Sequence, residues 1–365
     1  MKRLPRSVHP VAWWIWALGL AVAAACTTNP ILLLLLIGVS CFVVVLRRGD
    51  APWSRSLRVY LALGATIVVI RLVFRVLLGG PGGGTVLLDL PSIPLPAFAA
   101  GVHLLGPVHL SALLDGLYDG LHLAAMVICL GAANSLANPK RLLKSVPMGL
   151  YDIGTVVVVA VSVFPQLAES LGRVRRAQRL RHDPATGRRH LVRMTIVPVL
   201  ADALDRSLAL AAAMDSRGYG RHGAASPRRR LVAGSMTIVG LIGVCVGAYG
   251  LFDQQAPAAR RWPVFVAGLA LGVAGVAVSA VGRRVTRYRP DPFDLTAIGV
   301  AASGVLSAVL MLRATGVAPA DLNPATLPAA WPVFGLLPLV AACAGLLAAA
   351  AAPAPVLSRT SEATA

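Results

Sequence analysis

The sequence predicts an all-α, polytopic membrane protein, with about eight transmembrane helices carrying two long helices on the cytoplasmic side. Three observations predict it. Of 365 residues, 57% are hydrophobic and 13% charged, with a mean hydropathy of +0.74, whereas a soluble domain carries roughly a quarter charged residues. Several apolar runs approach the ~20 residues that cross a bilayer as a helix. The charges, +19 net, gather in short clusters flanking those runs, which marks cytoplasmic loops rather than a nucleic-acid surface. A transmembrane barrel would alternate in polarity instead.

Residues 1–137 are read as four spans. Met1 to His9 is a basic tail. Val11–Cys26 opens with Trp13, Trp14 and Trp16, an interfacial belt. Its Ala-Ala-Ala-Cys26 ending loosely resembles a lipoprotein cleavage site, but a hairpin with the next run, Pro30–Leu46, fits better. Arg47, Arg48, Arg55 and Arg58 form a basic loop. The third span, Leu57–Leu78, holds Arg71 and Arg75, four apart and so on one helix face. An arginine at mid-bilayer costs ~2.5–3.5 kcal/mol on insertion scales. Snorkelling to the helix end is the favoured reading, and a carboxylate partner within the chain is the alternative. From Val76 to Pro139 there is no Lys or Arg, which places Gly79–Gly84, Pro91–Pro96, His103 and His109 in an external loop. The Gly-rich piece lacks the Gly-Lys-Ser/Thr ending of a phosphate loop, and the two histidines are read as solvated or packed. Asp115 and Asp119 are read as an ordinary helix start, with a cation site as the alternative. Tyr118–Ala137 is the fourth span.

Residues 138–222 form a basic, cytoplasmic two-helix module. Ile153–Phe164 is apolar, and Pro165 can kink the helix. Leu167, Leu171 and Val174 then make one helix stripe, while Arg173, Arg175, Arg176 and Arg179 cover much of the rest. His182-Asp183-Pro184 stops this arm, and Ala185–His190 is a loop. The second arm starts near Leu191, and Leu200, Leu204 and Leu208 make its stripe. These two stripes are where the arms are expected to pack. Gly218 suits the left-handed position that ends a helix.

Residues 223–365 hold four further spans, at about Leu231–Phe252, Trp262–Gly282, Leu295–Arg313 and Trp331–Ala351, and a short tail. Arg228–Arg230 and Arg283, Arg284, Arg287 and Arg289 fit the cytoplasmic side, while Arg260 and Arg261 fall outside against the rule. The five cysteines lie within or beside apolar runs without CxxC spacing, which argues against a disulfide framework or zinc site. There is no Walker A, HExxH or GxSxG motif. No enzyme activity, cofactor, metal site or nucleic-acid partner is expected.

One phrase occurs twice: Ala177-Gln178-Arg179-Leu180-Arg181 and Ala213-Met214-Asp215-Ser216-Arg217, each at the end of a helical pattern. These paired Ala-x-x-x-Arg motifs resemble the T component of energy-coupling-factor (ECF) transporters, the EcfT/CbiQ-like family. His9-Pro10 resembles the family's N-terminal His-Pro, and Asp119-Gly120-Leu121 its Glu-Gly-Leu. Pro165 and Pro198 precede the two motifs as in the family. The likeness covers roughly residues 9 to 222. It departs at His182, where the family has Gly after the first Arg.

The resemblance implies a coupling subunit in the cell membrane, part of an importer for a vitamin or metal ion. Its implied partners are two ABC-type ATPase subunits and a small membrane S component that binds the substrate, in a setting of membrane lipid. The ATPases would dock on Ala177, Arg181, Ala213, Arg217 and Gly218. The alternative is a self-contained solute carrier or channel, with Arg71, Arg75, Asp115 and Asp119 lining a path and the basic helices lying on anionic lipid.

The charge distribution sets the topology test. In sealed cells and a cysteine-free background, an impermeant thiol reagent is expected to label a cysteine placed at Gly83 but not one at Ala185. Labelling at Ala185 would reverse the orientation.

Overall fold

A segment crossing hydrocarbon finds no water for its backbone N–H and C=O groups and satisfies them within itself as a helix. The computed structural model of the chain follows that rule. It describes residues 8–49, 56–78, 83, 85–91, 93–94, 103–145, 151–180, 188–218, 227–252, 258–280, 292–327 and 331–354. The helices are α1 (Pro10–Ala25), α2 (Pro30–Arg47), α3 (Ser56–Leu78), α4 (Leu110–Leu136), α5 (Pro139–Lys144), α6 (Tyr151–Leu180) and α7 (Arg188–Ser216). After them come α8 (Pro227–Phe252), α9 (Ala258–Ala280), α10 (Leu295–Val317), α11 (Pro319–Leu322), α12 (Leu336–Ala344) and α13 (Leu347–Ala351).

Among the described residues, seven helices are long and apolar enough to cross a membrane: α2, α3, α4, α6, α8, α9 and α10. Helix α1 and the broken α12–α13 run are shorter apolar helices at two expected spans. Helix α6 is the unexpected member. Its first half is a run of valines, and its arginines lie beyond Pro165, so an 18-residue stretch within Gly154–Gln178 stays apolar on average. Between α3 and α4, part of the expected loop is paired. Strand β1 (Val86–Asp89) runs antiparallel to β4 (Pro107–His109), and β2 (Ile93–Pro94) to β3 (His103–Leu104). Strands this short, among Gly and Pro, leave no alternating pattern to read.

The chain divides into two compact units, Met1–Leu142 with Asp291–Ala365, and Leu143–Pro290. In the first, α1 packs between α4 and α10. His9 starts α1, its Nδ1 accepting the Val11 N–H at 3.3 Å, and Pro10 opens the first turn. Asn29 and Pro30 repeat that arrangement at α2, with Asn29 Oδ1 accepting the Ile31 N–H at 3.1 Å. A side-chain oxygen or nitrogen that accepts here satisfies one of the orphan N–H groups of the first turn.

The turn between α1 and α2 is tied to the C-terminal part of the chain. Thr27 Oγ1 donates to the Leu322 carbonyl at 2.7 Å. Asn29 Nδ2 donates to the Asp321 and Val333 carbonyls at 2.8 and 3.0 Å. Thr27 and Asn29 are fully buried. Trp16 Nε1 donates to the Gly345 carbonyl at 3.0 Å, and Arg47 Nε to the Ala349 carbonyl at 2.9 Å. The last spans therefore complete the core begun by the first.

Close helix crossings carry the packing. A Cβ added at Gly304 of α10 would overlap the Trp16 backbone of α1, and one at Gly19 would overlap the Gly304 backbone. In the second unit, Gly240, Gly243 and Gly247 of α8 lie directly on Gly272, Gly268 and Phe265 of α9. Lipid tails offer helices no hydrophobic reason to associate, so small residues that let backbones touch supply it through van der Waals packing and shape.

A pair of alanine substitutions checks this. A methyl group added at Gly38 of α2 would meet nothing within 4 Å, so Gly38→Ala is expected to raise the melting temperature in detergent, helix propensity favouring Ala by about 1 kcal/mol. Gly304→Ala should lower it, overpacking costing ~1–3 kcal/mol. Equal shifts in the two variants would contradict a backbone-to-backbone crossing.

Candidate functional site

Helices α6 and α7 form an antiparallel pair. Gln178 Oε1 accepts from Thr195 Oγ1 at 2.8 Å, Asp202 Oδ2 accepts from Ser170 Oγ at 2.6 Å, and Gln166 Oε1 accepts from Arg206 Nη1 at 3.5 Å. Residue numbers rise on one helix as they fall on the other. Both helices run unbroken through an internal proline, Pro165 and Pro198.

Asp202 is the hub of the seam. Besides Ser170 it meets Arg206 Nε at 3.0 Å from its own helix and Arg173 Nη2 at 3.3 Å from α6. The Ser170 hydroxyl, with help from the two guanidinium groups, holds its carboxyl below the usual carboxylate range. Leu167, Leu171 and Val174 are half-buried on α6. On α7, Leu200, Leu204 and Leu208 are 55, 62 and 68% exposed. At ~100° per residue they sit on the side of α7 away from Asp202. The arms therefore meet along Thr195, Asp202 and Arg206, and the leucine stripe expected to join them faces outward. Its strong periodicity conceals a seam made of polar residues at helical spacing. Beside the seam lies a groove of about 360 Å³, walled by Val159, Val163 and Leu167 from α6 and by Ala203, Leu210 and Met214 from α7.

The repeated motifs lie at the helix ends. Ala177 is exposed in the last turn of α6, and Leu180, its final residue, is 90% exposed. Arg181 lies outside the described residues. Ala213 and Arg217 are exposed at the end of α7. The Arg217 and Gly218 N–H groups donate to the carbonyls of Met214 and Asp215 at 3.2 and 2.9 Å. Gly218 takes φ +74°, the left-handed conformation that closes a helix and that a side chain would strain. A cation at this terminus complements the partial negative charge of the helix end. The second arm begins at Arg188 rather than Leu191, because Arg and His are tolerated in a first turn and leave no boundary signal.

The polar residues of the first unit resolve differently. Arg75 Nη2 lies 3.7 Å from Asp119 Oδ2, so Arg75 has the carboxylate partner that the snorkelling reading does without. The stems of Arg75 and Arg71 pass over Gly116 and Gly120 of α4. Asp119-Gly120 thus supplies one counter-charge and one seat. His122, which no motif or spacing singles out in the sequence, holds the Thr27 carbonyl through Nδ1 at 2.8 Å. His103 lies in β3, and His109 precedes α4 without capping it. Among the described residues, no group of three or more His, Cys, Asp or Glu is placed to hold a metal ion.

These features define a multi-pass helical membrane protein with a two-helix arm whose ends are cationic. The chain belongs to the CbiQ family, described as cobalt transport protein, whose family model matches residues 1–226. It is accordingly a membrane component of cobalt/ECF-type transport. The match takes in both arms and ends just before α8. No curated protein matches the chain.

The Asp202 seam predicts a pH response of definite sign. Its carboxyl is depressed in the folded state, so its contribution is complete above the unfolded value, near 3.9, and lost as pH falls through the lower folded value. Spin labels on Val163 and Leu210 should report one α6–α7 distance from pH 8 to pH 5. In Asp202→Asn the distribution should broaden at neutral pH. An unchanged distribution in that variant would show that the seam does not hold the arms.

Proposed function

We propose that the chain is the coupling subunit of an ECF-type importer of a vitamin or metal ion. Two ABC-type ATPase subunits dock on the ends of α6 and α7, and their ATP-driven motion passes through the arms to a separate S component that binds the substrate. The chain itself does no chemistry.

The observation that carries this reading is the antiparallel seam. The Gln178–Thr195 contact puts the end of α6 level with Thr195. From Thr195 to Arg217 the axis of α7 extends ~33 Å at 1.5 Å per residue. The described part of the first phrase, Ala177 to Leu180, and the second phrase thereby lie far apart, at the ends of helices that run in opposite directions. One docking groove could not take both, but the same groove on two copies of one ATPase could each take one. Arginine suits the task, because its planar, permanently charged fork grips a carboxylate with two hydrogen bonds. A rigid helix behind each arginine transmits displacement along its axis.

Four variants test the docking. Arg181→Ala and Arg217→Ala are each expected to weaken copurification of the ATPases and substrate uptake, with membrane insertion intact. Loss of one partner of a docked charge pair costs ~2–5 kcal/mol, cushioned in each single variant by the remaining tether. The double variant should lose far more than either alone. Arg179→Ala removes equal charge beside the first site and should matter little. Full assembly and transport in the double variant would leave the two arginines as solvated helix ends.

A further inference from the structure

The last span is broken inside the core of the first unit. Helices α12 and α13 are separated at Gly345 and Leu346. The Gly345 and Leu346 N–H groups both turn to the Cys343 carbonyl, and the Ala348 N–H turns to the Gly345 carbonyl. In an unbroken helix these three donors would serve the carbonyls of Ala341, Ala342 and Ala344. Their own helix therefore releases those carbonyls, on residues that are 0, 0 and 7% exposed. A backbone oxygen inside the membrane has no water to turn to. The Ser307 hydroxyl of α10 is fully buried as well, and it has no hydrogen-bond partner among the described residues.

Helix packing brings that hydroxyl to the break. A Cβ added at Gly299 of α10 would meet the Ala351 Cβ at 3.1 Å. The two segments run antiparallel, since Asn29 donates to the carbonyls of both Asp321, beyond α10, and Val333, before α12. Ser307 lies eight residues beyond Gly299, ~12 Å along the axis. Eight residues back from Ala351 is Cys343, so Ser307 stands level with the break. At ~100° per residue it sits between Gly299, which faces α13, and Gly304, which faces α1. Helix α1 reaches the same place. The Trp16 backbone lies against Gly304, and Trp16 Nε1 donates to the Gly345 carbonyl at 3.0 Å. Ser307 is also one residue past the midpoint of the 23-residue α10, close to the middle of the membrane.

What gathers there is a set of neutral oxygens. The neighbouring donors are committed: Trp16 to Gly345, Ser303 to the Val300 carbonyl at 2.8 Å, and Arg47 to the Ala349 carbonyl. Carbonyl oxygens freed from a helix in mid-membrane replace the hydration shell of a small cation. Helices α1, α2, α10, α12 and α13 carry no Asp or Glu, so a monovalent ion suits the site better than a divalent one.

We propose that the break in the last span binds a sodium ion, held by the Ser307 hydroxyl and the carbonyls of Ala341, Ala342 and Ala344. The ion ties α10 to the last span where the backbone ladder of that span is interrupted. The proposal stands apart from ATPase docking, since its residues lie in the membrane interior and beyond the matched family region.

The full chain in detergent tests it. Thermal unfolding is followed in sodium, potassium and choline chloride at equal ionic strength, and binding is measured by equilibrium dialysis against radioactive sodium. Sodium is expected to raise the melting temperature saturably and to bind once per chain, while choline does neither. Ser307→Ala should weaken sodium binding about tenfold, the effect of losing one polar partner of a charged group. Ser303→Ala removes a hydroxyl that α10 already uses and should leave binding unchanged. Ser307→Cys nearly keeps the volume but replaces oxygen with sulfur, so it should bind as weakly as the alanine variant. It decides the matter if Ser307→Ala does not fold, as judged by size-exclusion chromatography. Equal melting temperatures in sodium and choline would overturn the proposal. Equal stabilisation by potassium would do so too, as would undiminished sodium binding in a folded Ser307 variant.

Discussion

The membrane-spanning part of this chain follows from the absence of water in the membrane interior. A backbone group that cannot reach water must be bonded within its own segment, so the spans are helices. The same absence removes the force that sorts apolar from polar faces, and helices must then recognise each other by shape. Backbone contact at Gly19 with Gly304, and at Gly243 with Gly268, answers that need. Polar side chains appear at the helix ends, where they join segments far apart in sequence. Thr27, Asn29 and Arg47 bind carbonyls about 300 residues away, which makes α10 to α13 part of the N-terminal core although they lie beyond the matched family region.

The two arms obey a different rule. Helices α6 and α7 are joined by hydroxyl, carboxylate, amide and guanidinium groups, most of them half-exposed, with Ser170 buried. Water can replace the two ion pairs at small net cost, since an exposed ion pair contributes little. Such a seam specifies register without locking the helices as a buried apolar face would. The outward leucines of α7 remain available to other chains. Loose coupling along the seam and stiffness along each helix suit the proposed transmission of motion.

Much of this is legible in the sequence because composition and period act over many residues. Length and hydropathy locate most of the spans, and Gly218 marks a helix end that the positive φ confirms. What is not legible depends on single contacts between distant segments. Arg75 cannot be assigned to Asp119 without knowing that α3 and α4 cross at Gly116 and Gly120. The Asp202 seam is hidden because its polar residues sit opposite a more conspicuous leucine stripe. Helix α6 reads in sequence as an arm alone, since its arginines draw attention from the valines before Pro165. Arg75 paired to Asp119 also weakens the carrier alternative, which needs both as free charges along a path.

The central claim is that one chain presents two equivalent ends to two ATPase subunits. Native mass spectrometry of the complex, released from a mild detergent, measures that most directly. The account predicts a principal species with two ATPase subunits for each copy of this chain. A complex with one ATPase subunit per chain, or a chain that carries none when its transport partners are coexpressed, would contradict it.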